Sequence, residues 1–499
     1  MKKSLIYSLA GIALLSSCDL DINENPNFPT SGTVTADLVF PAAENFIADC
    51  VGDQMFNYAG FFAQYWDQLP TANQYNDLAE LNINESKDLF NRCYALLYSG
   101  ALMDIEDVKS KTTNTADLFA CAVLRAYAFQ LVVDNLGYAP YTEALKGVSN
   151  PMPAWEKGVD VYNGVLAELD DAEDALSDNF MTVTDPMLDK DIDQWIGFAN
   201  ALRLRMLYRL VDGGVDVEAN KQKIIALVQE GKFFTDNIKW NVYSDGENQY
   251  NPWYAAYKAL TKNHCAAYPI ISYYTATNDP RIDYVFNPRS LDNKFFGQMP
   301  GAKTVEFEWI GIATAQYQEN YVSGIDYSVA VAQPVYLYTQ AELQFLIAEA
   351  QVRFLSDDAA AQAAYETAIK ADFIDRGIEF PGLYNDYLAG TLVAWEGTDA
   401  EKLDRIYRQK WAALFFRDHM EAWTEARRTD VPACSAHTAA EIYKNADIYT
   451  PGDFIVPAVN YSAGQGLCYS LPFPSSARNL NKNTPAAHTI SDRVFWDVK

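Results

Sequence analysis

From Asn84 onward the apolar positions of the chain fall into a repeating pattern. Leu89, Phe90, Cys93, Leu96, Leu97, Gly100 and Met103 recur at three- and four-residue steps, which makes one face of a helix that Asn84 or Ser86 can cap. A second helix, roughly 115–135, carries Leu118, Ala122, Leu124, Tyr127 and Leu131 and is apolar nearly all round, which predicts a central position. Gly137 and Pro140 stop it, since Gly suits the position after a helix and Pro cannot continue one. The spacing predicts further helices over 158–177 and 192–212, so that four helices with short links make two hairpins. Helical periodicity returns over 338–354, 357–374 and 400–418. The first two of these have tetratricopeptide character: small residues where the helices cross and an aromatic on the second helix.

Two stretches break the pattern. Residues 36–70 are aromatic-rich (Phe40, Phe46, Phe56, Tyr58, Phe61, Phe62, Tyr65, Trp66) but keep no single period, and they read as helix interrupted by loop. Residues 213–337 are periodic only near 218–230 and are otherwise rich in Asn, Gly, Pro and aromatics, with short β-like runs at Thr304 to Trp309 and Tyr327 to Val331. A long irregular segment inside a compact chain is usually functional or disordered, and this aromatic load argues against disorder. The pattern therefore predicts a mainly α chain: helical scaffold at about 84–212 and 338–430, with an irregular, ligand-binding region at about 213–337 plus the tail 431–499. Residues 36–499 are read as a single domain.

Ahead of this body stands a targeting segment. Lys2 and Lys3 precede a short apolar run, Leu5 to Leu15, and then Leu15-Ser16-Ser17-Cys18. The run is too short to span about 30 Å of hydrocarbon. Its layout is that of a lipoprotein signal, residues 1–17, removed before Cys18 is acylated. Residues 18–35 form an acidic tether. The body then sits in water, held to a membrane by lipid.

Composition narrows the partners. The 499 residues carry a formal charge of −28, which repels phosphate backbones and excludes nucleic acid as a partner. Beyond Cys18, the Cys residues at 50, 93, 121, 265, 434 and 468 form no C-x-x-C pair and give no zinc or redox pattern. Cys93 and Cys121 fall in apolar helical stretches and read as buried thiols. Asp189-x-Asp191-x-Asp193 has the opening of a calcium loop, but Gln194 stands where Gly is needed and Asn200 where Glu is needed. Acids at a helix N-terminus are the plainer reading, and neither metal nor cofactor is expected.

No H-E-x-x-H, G-x-S-x-G or Cys–His signature is present, and the four His stand far apart, so no catalytic residue is assigned and the chain is not read as an enzyme. The case for binding is aromatic. Sugars and extended peptides both present apolar faces that lie on Trp and Tyr, whose rings also carry a hydrogen-bonding tip. Trp66 with Tyr75, and Trp253-Tyr254 with Tyr257, sit beside Gln, Asn and Asp in non-helical contexts; Trp309 and Tyr321 are further candidates. Three readings follow: a nutrient-binding lipoprotein, a surface glycan- or peptide-hydrolase, and a helical scaffold or adhesin without a small ligand.

Several segments, in order, resemble the SusD/RagB family of outer-membrane nutrient-binding lipoproteins. They are Asn25-Pro26-Asn27; Asp134 to Ala144, similar to D-x-x-G-x-x-P-Y-x-E-A; Trp195 with Asn200-Ala201-Leu202-Arg203-Leu204-Arg205; and Asn278-Asp279-Pro280-Arg281. Ala348-Glu349-Ala350, Gln409-Lys410-Trp411, Glu421-Ala422-Trp423 and Arg427-Arg428-Thr429 resemble its C-terminal landmarks. The acidic tether after Cys18 resembles those of surface-exposed lipoproteins of the Bacteroidetes. The resemblance implies a superhelix of four tetratricopeptide-like hairpins with an irregular half inserted. It implies a partner, a SusC-like TonB-dependent outer-membrane barrel. It also implies a role, holding oligosaccharides or oligopeptides for import, with glycan the family's usual cargo.

Overall fold

Five helical pairs carry the architecture, and the first begins earlier than periodicity suggested. A helix runs Ala36–Cys50, continues as a π-helix over Val51–Met55 and ends as Phe56–Phe62. The π stretch adds a residue to the turn and rotates the apolar face. That is why Phe46, Val51, Phe56 and Phe61 keep no 3.6-residue period although the segment is one helix with no loop. It packs against a second interrupted helix, Asn91–Ala95, Leu96–Leu102 (π) and Met103–Lys111. Asn84 does not cap this helix; it accepts from the backbone and hydroxyl of Ser86 in a turn upstream.

The next pairs are Thr115–Leu136 with Gly158–Asp174, Ile192–Asp212 with Val217–Glu230, Gln340–Ala350 with Asp358–Asp375, and Asp399–Leu414 with His419–Thr429. The pairing is thus shifted by one helix from the expected one, because residues 36–62 supply the first partner. The chain is mainly α, a stack of tetratricopeptide-like hairpins with an irregular insertion. The computed structural model describes residues 34–258, 263–309, 321–378, 380–462 and 466–498. The signal, Cys18 and nearly all of the tether lie outside the described residues.

Thr115–Leu136 is the central helix its composition foretold: it is long and apolar enough to cross a membrane by length alone, yet 89% of that window is buried in protein. It ends at Gly137, whose φ of +73° is the left-handed conformation that Gly adopts without a Cβ penalty. Asp134, one turn before that end, is a buried hub. It accepts from Arg209 Nη1 (2.7 Å), the Tyr162 hydroxyl (2.5 Å) and the indole N–H of Trp496 (3.1 Å), near the end of the chain.

The arginines of Ile192–Asp212 all find carboxylates inside the scaffold. Arg203 reaches Asp170 and Glu173, Arg205 grips Glu342 through two bonds of 2.8 and 2.7 Å, and Arg209 joins Asp134 to Glu421. Arg428 lies between Glu349 and Glu425, both at 2.7 Å, and Asp212 at 2.5 Å. The Asp189–Asp193 stretch holds no calcium geometry: Asp191 caps the helix, accepting from the N–H groups of Asp193 and Gln194.

Strand is sparse. Trp66–Gln68, His264–Ala266, Gly324–Ile325 and Phe286–Asn287 form one antiparallel sheet in that order, with Trp66 opposite Ala266 and Cys265 opposite Gly324. Ile238–Trp240 pairs with Val335–Tyr338. The two expected β-like runs are not strands: Lys303–Trp309 is a helix and Tyr327–Ala330 a 3₁₀ turn. The strands fall beside them, where shorter alternating runs gave weaker signals. The cysteines other than Cys18 are free thiols; all but Cys434 are buried.

Candidate functional site

Four of the seven aromatics singled out in the sequence gather in one interior seam. Trp66 and Trp253 are stacked (centroids 5.1 Å apart, planes 10° from parallel), and Tyr327 stacks on the other side of Trp253 at 5.5 Å. Tyr75 and Tyr257 meet each other at 6.0 Å and approach His264 at 4.6 and 5.7 Å. Trp66, Tyr75 and Trp253 are buried; Tyr257 is half-buried. The Trp66 indole donates to the Asn57 carbonyl. Tyr254, Trp309 and Tyr321 lie elsewhere, all half-buried: Tyr254 against Tyr250, Trp309 against Tyr443, and Tyr321 with its carbonyl accepting from Arg289.

His264 and His419 are built into the same seam. His264 bonds Asn57 (2.7 Å) and Tyr327 (3.2 Å); His419 accepts from the Phe416 N–H and bonds the Phe56 carbonyl, both at 2.9 Å. Burial pushes both imidazoles down to about 3, so they are neutral and act as aromatic spacers with polar edges.

Beside the seam the sheet holds buried acid. Asp67 accepts from the N–H groups of Gln68 and Gly301, yet burial pushes its carboxyl up to about 8. Burial and the neighbouring Asp67 raise Glu306 to about 8 as well. Among the described residues, Glu306 Oε2 and both amide atoms of Gln298 are buried without a hydrogen-bond partner.

A cleft of about 790 Å³ opens where the insertion meets the scaffold. Its walls come from Tyr284 and Val285, the turn at Ser328 and Val329, the run Val331 to Tyr336, the helix end at Asp375 and Arg376, and the linker residues Phe416 and Arg417. The linker exists because the helix expected to run to 418 ends at Leu414. Phe416 has a φ of +55°, an uncommon and costly backbone conformation for a bulky side chain. It is held by His419 at its N–H and by the Gln333 amide at its carbonyl. Its ring packs edge-on against Phe56, Trp66 and Trp253, so the same residue lines the cleft and plugs the seam.

Arg417 follows directly. It pairs with Asp375 at 2.7 Å through Nε, donates to the Phe416 carbonyl at 2.9 Å through Nη1, and covers the Tyr336 ring at 4.9 Å. Burial pulls the guanidinium pKa down, but Tyr336 and Asp375 outweigh it and leave the group above its ordinary value. Asp375 also accepts from the Tyr336 hydroxyl (2.8 Å) and the Asn237 amide (2.9 Å). Arg376 donates to Asp372 and to the carbonyls of Ala413 and Phe415.

None of the seven aromatics lines this cleft. Tyr284 stood among the aromatics of the insertion, but Tyr336, Arg376 and Arg417 lie within or next to stretches that read as scaffold. The available signal was Phe415-Phe416-Arg417-Asp418, two aromatics and two opposite charges between two amphipathic helices. Among the described residues, no group of His, Cys, Asp or Glu is arranged to hold a metal.

A family model described as "Starch-binding associating with outer membrane", SusD-like, matches residues 27–450. No curated protein matches the chain. Solved structures are similar in fold across nearly their full length. A SusD-like protein of the Bacteroidetes is 21% identical, covering 93% of this chain and 100% of its own, with a TM-score of 0.72. A chitin-binding SusD homologue from Flavobacterium johnsoniae is 21% identical (93% and 98% covered, TM-score 0.71). A SusD homologue from Bacteroides uniformis is 19% identical (93% and 100% covered, TM-score 0.68).

Proposed function

The chain belongs to the SusD-like family, and from that premise we propose that it captures oligosaccharides at the cell surface and hands them to a SusC-like TonB-dependent barrel in the outer membrane. In this reading Cys18 is acylated after removal of residues 1–17, and the acidic tether holds the body above the membrane. The observation that carries the reading is the open cleft of about 790 Å³, a size suited to a small-molecule or short oligomeric ligand. A sugar ring lies against Tyr284 and the Phe416 wall, while Gln333, Ser328 and Asp245 meet its hydroxyls. The half-buried rings of Tyr254, Tyr257, Trp309 and Tyr321 extend the contact surface. Trp66, Tyr75 and Trp253 support it from beneath.

The printed names of two similar structures mention chitin binding, which favours glycan over peptide as cargo. The chain acts by binding alone. Of the two carboxylates in the cleft, Asp375 is tied up by guanidinium and phenol partners, which leaves Asp245 without a second free acid to act with.

The test is gentle extraction of the tagged full-length protein from outer membranes, with mass spectrometry of what accompanies it. A stoichiometric β-barrel and bound saccharide are expected. A protein that comes out alone, with Cys18 unacylated, overturns the partnership and the anchor. Turnover of an oligosaccharide by the purified protein overturns the binding-only reading in favour of a hydrolase. A bound peptide without saccharide overturns the choice of cargo.

A further inference from the structure

We infer that the cleft is built for an acidic oligosaccharide, and that the guanidinium of Arg417, with Arg376 behind it, receives a sugar carboxylate. This rests on reading the cleft as the sugar site. It goes further by naming the charge of the ligand.

The chain as a whole carries a formal charge of −28 and repels anions over most of its surface. The cleft is an exception. Its lining holds two arginines, 376 and 417, against two aspartates, 245 and 375, and is formally neutral. The arginines are also in the right state. Their side chains are only 3% and 9% exposed, so each charge sits in a desolvated wall, where a charge-assisted bond is stronger than in water.

Neither guanidinium is used up by the protein. Arg417 spends only Nη1 on a hydrogen bond, to the Phe416 carbonyl; its Nε stands 2.7 Å from Asp375 as an ion pair, yet among the described residues it is buried without a hydrogen-bond partner. Arg376 spends Nε and Nη2 on Asp372 and two carbonyls, and Nη1 has no hydrogen-bond partner among the described residues. Asp375 does not need all of Arg417, because the Tyr336 hydroxyl and the Asn237 amide already donate to it. A purely structural pair needs no such surplus of donors on a cavity wall.

The backbone supports the same conclusion. Arg417 is placed by Phe416, whose left-handed φ of +55° costs free energy that its packing must offset. His419 and Gln333 fix that residue on both sides. The result is a rigid positioning of one guanidinium at the edge of the cleft.

The test uses the full-length protein in detergent and titration calorimetry at low salt. The probes are tetragalacturonate, its methyl ester, and neutral chitotetraose and maltotetraose. The ester removes the charge and adds one methyl group per sugar, so the comparison needs no variant. The inference expects the acid to bind at least ten-fold more tightly than the ester, with affinity falling steeply as salt is raised. Arg417→Gln should bring the affinities of acid and ester to within two-fold of each other. A thermal melt checks that the variant is folded.

Equal binding of acid and ester overturns the inference and leaves the glycan reading standing. So does tighter binding of the neutral sugars than of the acid. Binding of none of the four, in a protein that instead binds an acidic tetrapeptide, overturns both. An Arg417→Gln protein that keeps the full preference overturns the assignment of the residue.

Discussion

The helical scaffold and the aromatic sheet region both bury charge, and they do so in opposite ways. At the scaffold node around Arg428, every carboxylate has a cation: Glu349, Glu425 and Asp212 converge on one guanidinium, with Lys410 and Arg353 adding to it. There the charges of Arg428 outweigh burial and hold Glu349 down at about 2. Beside the Trp66–Trp253 seam, Asp67 and Glu306 have no cation between them, and burial wins. One region is held together by ions, the other by neutral acids and rings. Desolvation is severe in both; around Glu349 the cations of Arg428, Arg353 and Lys410 together outweigh it, and beside the seam it prevails.

The comparison breaks most visibly if the node loses its cation. Arg428→Met leaves Glu349, Glu425 and Asp212 with Arg353 and Lys410 to share and should cost about 3–5 kcal/mol, measured by denaturant unfolding at pH 7. A loss below about 1 kcal/mol would mean the node is solvated and the contrast false.

The pH response should separate the two regions next. Glu349 has a depressed folded pKa, so its contribution is present above the unfolded value near 4.3 and is lost as pH falls through about 2. Asp67 and Glu306 have raised folded values. Their contribution is full below about 4 and is lost as pH rises through about 8. Unfolding free energy should therefore decline between pH 5 and 8, by up to about 1.4 kcal/mol per pH unit for each group. Glu306→Gln should flatten that decline, and an unchanged slope in the variant would remove Glu306 from the account.

Glu44 sharpens the rule because it sits in the scaffold yet behaves like the sheet. It is buried on the first helix, both its oxygens lack hydrogen-bond partners among the described residues, and burial with the nearby Asp185 raises its pKa. Glu44→Gln should stabilise the protein at pH 7 by roughly 1–3 kcal/mol, seen as a higher melting temperature. The smallest effect should come from Tyr75→Phe. Its hydroxyl is buried without a hydrogen-bond partner among the described residues, so its removal should change stability by no more than about 1 kcal/mol, in the favourable direction. A larger loss by calorimetry would reveal a partner for that hydroxyl.

These differences also explain what the sequence made legible. Scaffold helices such as Thr115–Leu136 and Asp358–Asp375 announce themselves, because a helix buried on one face must repeat every 3.6 residues. Ala36–Phe62 hid because five π-helical residues shift that phase. The cleft hid for another reason. Tyr284, Tyr336, Asp375 and Arg417 lie on four separate segments, and no local pattern says that they converge. Trp66 and Trp253 drew notice as ligand-binding aromatics because polar residues flank them in the sequence, yet their neighbours are polar at the edges only, as with Asn57, and they stack inside the core.

Trp496, the indole that reaches Asp134, has a bearing on the order of events during synthesis. The hub of the second helical pair is not complete until the third-last residue but one has been made, more than 360 positions after the aspartate it caps. Nascent chains fold from the N-terminus as they emerge. Here that head start is incomplete by design of the topology, since the first half of the scaffold waits for the tail.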